Sequence, residues 1–578
     1  MTCVIPLNRQ TMGYITGVSV VVSGGRQQPR ELFEGKIMSR TLMRSIVAGG
    51  AVLALAAGCA STDDSGSSSD DGTSAAGLTI GTTDKVTSLD PAGSYDNGSF
   101  FIMNQVYPFL LNTAPGATDM APEPDIAESA EFTAPKEYTV KLKPGLTFAN
   151  GNELTSSDVK FTFDRQIAIE DPNGPSSLLG QLESVETPDD TTVVFHLKSE
   201  NDQTWPQILT SPAGPIIDED VFPADALLSD ADIVKEKPFA GQYTIASYKA
   251  NELTSFEPFD GYKGSLGDVA NDGVTLRYYA DASNMRLDIE KNAIDVAYRS
   301  LSATDIDSLS KLDNVSIVEG PGGEIRYSVF NFNTNPFGSA TADADPAKAL
   351  AVRQAIADLV DREAIATDVY KGTYTPLYSY IPEGVEGSTT DFKDKYGDGK
   401  GGPSVEKATK RLADAGVQTP VQISWQYSPD HYGPSSGDEY AAVKNQLESS
   451  GLFTVDLQST EWVQYSKDRV ADVYPVYQLG WFPDYSDPDN YLTPFFSKNN
   501  FISNHYDNPE VQKLISEQVS TADVNERRAK LEQIQDLVSN DISTLPLLQG
   551  KQIAVTGTDV SGLQLDASFK LRIAPLTK

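Results

Sequence analysis

Gly480-Trp481-Phe482-Pro483-Asp484-Tyr485-Ser486-Asp487-Pro488-Asp489-Asn490-Tyr491-Leu492 packs three carboxylates and four aromatic rings into thirteen residues, and no other part of the chain is so dense in both. Pro483 and Pro488 each remove a backbone donor, and a residue before proline is pushed out of helical geometry, so the stretch is a shaped loop. Such a loop can present Trp481 and Asp484 side by side. A flat ring beside a carboxylate is a receptor for a cation or amine that carries apolar groups. Aspartates before proline also serve simply as turn formers, and tryptophan is more often core than ligand platform. The surroundings of the loop decide between these readings.

Residues 473–479 read as a strand that ends at the loop. Upstream lie a helix at 404–416 with Ala408, Leu412 and Ala415 inward, a strand at 421–425, a helix at 440–447 and a strand at 453–457. Helix alternating with strand is the pattern of a covered parallel sheet. Downstream, Val511, Leu514, Ile515 and Val519, then Leu531, Ile534, Leu537 and Val538, mark two amphipathic helices. Val352, Ile356, Leu359 and Val360 share one helical face, and Asp361-Arg362 restarts a second short helix. In the first half, 78–81 is a strand, Ser88-Leu89-Asp90-Pro91 a turn and 100–111 a helix. Tyr95-Asp96-Asn97 sits between turn and helix, at a strand's carboxyl end, where α/β proteins place ligands. Strands are expected at 138–142 and 192–197, and Thr155 to Asp158 offers a helix cap. The fold class is α/β.

With 578 residues, the chain exceeds what one core fills, so two or more lobes are expected. Its formal net charge is −36, and a surface this acidic repels nucleic acid and anionic lipid headgroups alike. His196, His431 and His505 show no metal-ligand spacing, so neither metal nor cofactor is expected. Phosphate-binding glycine loops are missing, which excludes the energy-using component of a transporter. A secreted hydrolase is the reading from another class, since some pair among the 81 acidic residues can be cast as acid and base. No nucleophile elbow or histidine motif supports it, and no enzymatic activity is expected.

The amino-terminal region reads as an address. Residues 1–37 show no periodicity, and Met38 or Met43 makes a better start: Arg40 and Arg44, an apolar run at 46–57, then Gly58-Cys59. Ala56-Ala57-Gly58-Cys59 resembles a bacterial lipobox, with Ala56 where leucine is commoner. Cys59 is then acylated and becomes the first mature residue. Cys3 lies upstream, so the mature chain has no disulfide. Six basic and two acidic residues precede Cys59, and losing them takes the charge from −36 to −40. Residues 59–77, rich in serine, glycine and aspartate, read as a disordered tether that keeps the protein outside the membrane and near its partners.

Gly480-Trp481, Asp484-Tyr485 and Asp487-Pro488 together resemble the late signature of the dipeptide- and oligopeptide-binding substrate-binding proteins of ABC importers, bacterial extracellular solute-binding protein family 5. Lys143-Pro144-Gly145, Asn150-Gly151, Asp158-Val159 and 161–165 match the same family in order, as do Asp361-Arg362, Lys371-Gly372 and Thr375-Pro376. The resemblance runs over most of the chain from Leu78 onward. It implies a periplasmic-binding-protein-like bilobal fold: two α/β lobes joined by two crossing segments, with an extra subdomain in the first lobe. The expected division is 1–58 extension and signal, 59–77 tether, 78–327 first lobe with a subdomain at about 112–235, 328–545 second lobe, and 546–578 return to the first. Asp484 would receive a peptide's ammonium end, Trp481 would flank a side-chain pocket, and Arg469 would line the same cleft. Tyr485, Tyr95, Asp96 and Asn97 are further expected ligand contacts. The implied partners are a peptide, ABC permease subunits with their ATPases, and a lipid anchor to the outer face of the cytoplasmic membrane, the protein acting as a monomer. An oligosaccharide or opine is the alternative ligand, because fold alone does not choose.

Overall fold

The structure, a computed structural model, describes residues 77–117, 121–433, 435–498, 500–566 and 568–578. The expectations for residues 1–58, for Cys59 and for the tether to residue 76 lie outside the described residues.

Two mixed sheets dominate. The first orders its strands as Val315–Gly320, Gln552–Gly557, Val296–Tyr298, Leu78–Thr82, Val274–Tyr278, Leu253–Pro258 and Tyr243–Lys249. The second runs Tyr374–Pro376, Thr544–Gly550, Ile325–Phe330, Val476–Trp481, Val421–Tyr427 and Phe453–Ser459. Only one side of the second sheet is parallel, where Val421–Tyr427 joins Phe453–Ser459 and Val476–Trp481; the strands around Ile325–Phe330 are antiparallel. The expectation of a covered parallel sheet thus holds for half of it. A third, four-stranded antiparallel sheet spans residues 127–197 and packs the helix Ser156–Ile169 over its own core of Val140, Phe163, Phe195 and Trp205.

Local chemistry explains where elements begin and end. Thr155 caps Ser156–Ile169 reciprocally with Asp158, a capping box that leaves few amino-terminal donors unpaired. The helix expected at 100–111 runs from Asn97 to Val106 instead. Asp96 caps it by accepting from the Ser99 amide at 2.8 Å, and Tyr107, held extended before Pro108, stops it. The buried Arg165 guanidinium spans Asp90 with Nη1–Oδ1 at 2.8 Å and Nη2–Oδ2 at 2.6 Å, pinning the turn at 90–91 to the subdomain helix.

The passages between the two large sheets form one ribbon. Val315–Gly320 pairs antiparallel with Gln552–Gly557 in the first sheet, and the continuations of the same two segments, Ile325–Phe330 and Thr544–Gly550, pair antiparallel in the second. Between them the Gly550 amide donates to the Glu324 carbonyl at 2.8 Å, and Gln549 Nε2 to the Gly322 carbonyl at 2.7 Å. A Cβ on Gly322 would lie 1.2 Å from the Gly550 oxygen, so only glycine permits this approach. All of Ile325–Phe330 is buried within the second sheet, and Thr544–Gly550 likewise. The sheet pairing therefore moves the passages to 321–324 and Lys551, from the expected 327/328 and 545/546.

Candidate ligand-binding site

Val476–Trp481 lies inside the second sheet, with Arg326 opposite Gly480 and Ile325 opposite Trp481. A Cβ on Gly480 would come within 2.9 Å of the Tyr432 ring, so glycine lets that ring lie against the strand. Beyond Trp481 the chain folds back through a 3-10 turn, Pro488–Tyr491, capped by Asp487. Asn490 fastens the loop shut: its Oδ1 accepts from Trp481 Nε1 at 3.0 Å and from the Asp484 amide at 2.9 Å, and its Nδ2 donates to Asp484 Oδ2 at 3.3 Å. Trp481 and Asp484 are thereby presented together, as the loop's composition implied. Sequence reasoning gave Asn490 no role, although it stands within the same thirteen residues.

Asp484 is half-buried, and burial pushes its pKa above the ordinary carboxylate range. Its Oδ1 accepts from the Tyr95 hydroxyl, which comes from the first lobe, and it makes no ion pair among the described residues. The Tyr95 ring is 38% exposed beside it. Trp481 stands edge-on to Phe495, with centroids 5.4 Å apart, and leans on Phe501 at 5.5 Å. Phe482 is exposed, and the Arg299 guanidinium from the first lobe lies 5.0 Å from its ring centroid. Nothing in the sequence around Arg299 singled it out.

The remaining expected contacts divide. Asn97 is exposed and lines a cavity of ≈ 50 Å³ with Arg299, Phe569 and Lys570. The Asp96 carboxylate is taken up by the Ser99 amide and hydroxyl and by Thr87, which makes it a helix cap. Tyr485 packs against the subdomain core and so joins that core to the second lobe. Arg469, in the helix Trp462–Val470 that sequence reading missed, is buried. It donates to the carbonyls of Phe501 (3.1 Å) and Ile502 (3.4 Å) and stacks on the Phe501 ring at 4.6 Å. It therefore braces the ring on which Trp481 leans.

Beneath the loop lies an acidic knot. Arg527 clasps Asp487 with both Nη atoms, at 2.7 and 2.8 Å. Asp489 accepts from Thr493 Oγ1 at 2.5 Å and from Gln518, and burial, then Asp487, pushes it up to about 7. Asp202 of the subdomain side is raised too, by burial first. Next to it the Gln203 amide donates to the Val519 carbonyl at 2.8 Å, across to the second lobe.

Among the described residues no group of histidine, cysteine and carboxylate side chains could hold a metal ion, and no helix is long and apolar enough to cross a membrane. Among the described residues the site thus brings together, where the two lobes meet, a carboxylate without an ion-pair partner, aromatic rings and the Arg299 guanidinium.

Comparison with known proteins gives the family and the fold. The probable D,D-dipeptide-binding periplasmic protein DdpA of Escherichia coli is 24% identical over 498 residues, 84% of this chain and 90% of that one. The dipeptide-binding protein DppE of Bacillus subtilis is 24% identical over 515 residues, covering 84% and 89%. Among solved structures, the ABC transporter substrate-binding protein CtaP of Listeria monocytogenes matches with a TM-score of 0.71 at 24% identity, covering 86% of this chain and 98% of that one. A dipeptide-binding protein from Pseudoalteromonas, solved with Met-Leu, matches at 0.67 and 21%, covering 87% and 100%. The description of bacterial extracellular solute-binding proteins, family 5, matches residues 121–503, and the chain belongs to that family.

Proposed function

We propose that this chain is the substrate-binding lipoprotein of an ABC importer, which captures short peptides between its lobes and hands them to a membrane permease driven by separate ATPase subunits. The observation that carries the peptide reading is Asp484: a half-buried carboxylate, fixed by Asn490, that among the described residues meets the Tyr95 hydroxyl across the cleft and no cation. A desolvated carboxylate without a cation is completed by an ammonium group. The charge-neutral backbone of a peptide can then pair with strand edges while its ends fix the register. The names of the relatives support the same class, as does the Met-Leu bound in the Pseudoalteromonas structure. A lipid on Cys59 would hold the protein at the outer face of the cytoplasmic membrane, which suits a chain too acidic to adhere by charge. Binding in this reading involves no bond making or breaking.

Mass spectrometry of small molecules retained by the purified protein tests the proposal. Peptides with free amino ends are expected, recovered intact after incubation. Retention of an oligosaccharide or opine would overturn the peptide reading, and cleavage of bound peptide would overturn the receptor reading.

A further inference from the structure

The acidic knot beneath the loop lies on the seam where the subdomain of the first lobe meets the second lobe. Across that seam the Gln203 amide donates to the Val519 carbonyl at 2.8 Å. Gln203 follows Asp202 in the chain, and Val519 follows Gln518, whose Nε2 donates to Asp489 Oδ1. The bond therefore sets Asp202, from one lobe, close to the group that holds Asp489 in the other. Tyr485 packs against the subdomain core from the second lobe, and Asp202, Asp487 and Asp489 are 0%, 3% and 4% exposed.

Charge does not balance in the knot. Arg527 clasps Asp487 through both Nη atoms and gives its Nε to Gln518 Oε1 at 3.1 Å, so its donors are committed. Asp489 is met by Thr493 Oγ1 at 2.5 Å and by Gln518, both neutral. Asp202 accepts from the Thr204 amide at 3.0 Å and hydroxyl at 2.7 Å, both on Oδ1, while its buried Oδ2 has no partner among the described residues. The charges that act on Asp489 are those of Asp487, Arg527 and Asp202, and those that act on Asp202 are Asp487 and Arg527. Tyr485 also faces the knot, held neutral by burial, and Glu386 acts on Arg527 but is paired with Arg528 at 2.8 Å. Three buried carboxylates thus share one guanidinium. Neighbouring carboxylates taken out of water do not all ionise, because each charge loses its solvation and repels the others.

We propose that closing this seam takes up a proton, held by the Asp202–Asp489 pair, so that the lobes close more firmly at low pH and loosen as pH rises. Opening lets water solvate both carboxylates, and the proton leaves. The coupling belongs to the lobes themselves and does not depend on which solute is bound. Asp489 stands at about 7 in the closed seam, raised by burial first and Asp487 next, so the proton's contribution to closure is full below the ordinary carboxylate range and is lost as pH rises through about 7. With an ordinary carboxylate value in the open form, the closing equilibrium falls up to about tenfold between pH 6 and pH 8.

Hydrogen exchange of the unliganded protein tests this, because the Gln203 amide is protected by the bond that crosses the seam. Corrected for the intrinsic exchange rate, protection of the fragment that contains Gln203 should fall up to about tenfold from pH 6 to pH 8, and the radius of gyration from small-angle scattering should rise over the same range. Asp202→Asn and Asp489→Asn should each shrink the fall, and the double variant should abolish it. Level protection in the parent overturns the proposal and needs no variant. So does exchange at Gln203 no faster than in the buried strand Ile325–Phe330, since the seam would then open only by unfolding. A fall without any rise in the radius of gyration would confine the change to the seam and overturn its coupling to the lobes, and a fall that persists in the double variant would place the proton elsewhere.

Discussion

Asp484→Asn removes one charge from the site and little else. The amide oxygen still accepts from Tyr95, and the only other side-chain contact at risk is the long 3.3 Å bond from Asn490. Removing one partner of a fully buried ion pair costs about 3–5 kcal/mol. Asp484 is only half-buried, and in the unliganded protein it already enjoys two hydrogen bonds, so the lower end applies. A loss of about 3 kcal/mol corresponds to roughly 150-fold weaker peptide binding. Acetylating the peptide's amine should cost a similar amount, because it deletes the other half of the same contact. Doing both should cost little more than either alone, since the two changes interrupt one interaction. Calorimetry on the four combinations measures the coupling. If the losses add, or if the parent binds acetylated peptide as tightly as free peptide, the ammonium does not sit on Asp484 and the reasoning fails.

Other expectations follow from contacts nearby. Tyr95→Phe deletes the hydroxyl that joins the lobes at Asp484, so the unliganded variant should show a larger radius of gyration by small-angle scattering than the parent; ligand should compact both. Asp489, raised to about 7 in the folded state against an ordinary carboxylate value when unfolded, holds its proton more firmly folded than unfolded. Its contribution to stability is therefore full below about pH 4 and is lost as pH rises towards about 7. Asp489→Asn should flatten the fall in melting temperature between pH 5 and pH 8, and an unchanged slope would assign that fall to other groups. Cys59→Ala should release the protein from the membrane fraction while peptide binding is kept, which fractionation and calorimetry together check.

What was legible in the sequence was local. The capping box of Thr155 and Asp158 is four residues long, and the amphipathic helices at Pro509–Val519 and Val524–Asp541 declare themselves by spacing. The loop from Gly480 announced itself by proline and aromatic density, and its placement of Trp481 beside Asp484 follows from Asn490 within the same stretch. Contacts between distant segments left no trace. Tyr95 and Asp484 are 389 residues apart, and Arg165 meets Asp90 across 75. A surface arginine and Arg299 look alike in one dimension, because its left-handed backbone, φ 64°, arises from packing. The family resemblance put Arg469 in the cleft, yet the missed helix Trp462–Val470 turns it inward to Phe501. Arg362, which the sequence marks only as the start of a short helix, is buried, with Nε donating to the Pro546 carbonyl at 2.8 Å.

The two-stranded ribbon between the sheets also sets a ruler. Its strands are laddered to each other on both sides of Gly322 and Gly550, so neither can slide past the other without breaking register, and any rotation of one sheet against the other must bend both strands at once. Tyr491, at the end of the loop that carries Asp484, donates its hydroxyl to the Gly323 carbonyl at 2.9 Å, directly on that ribbon. The loop that carries Asp484 is thus tied at its far end to the segment that any opening of the lobes would have to bend. A peptide's first residue would be held at a nearly constant datum, and the tolerance for different lengths would grow with distance from it, towards the mouth.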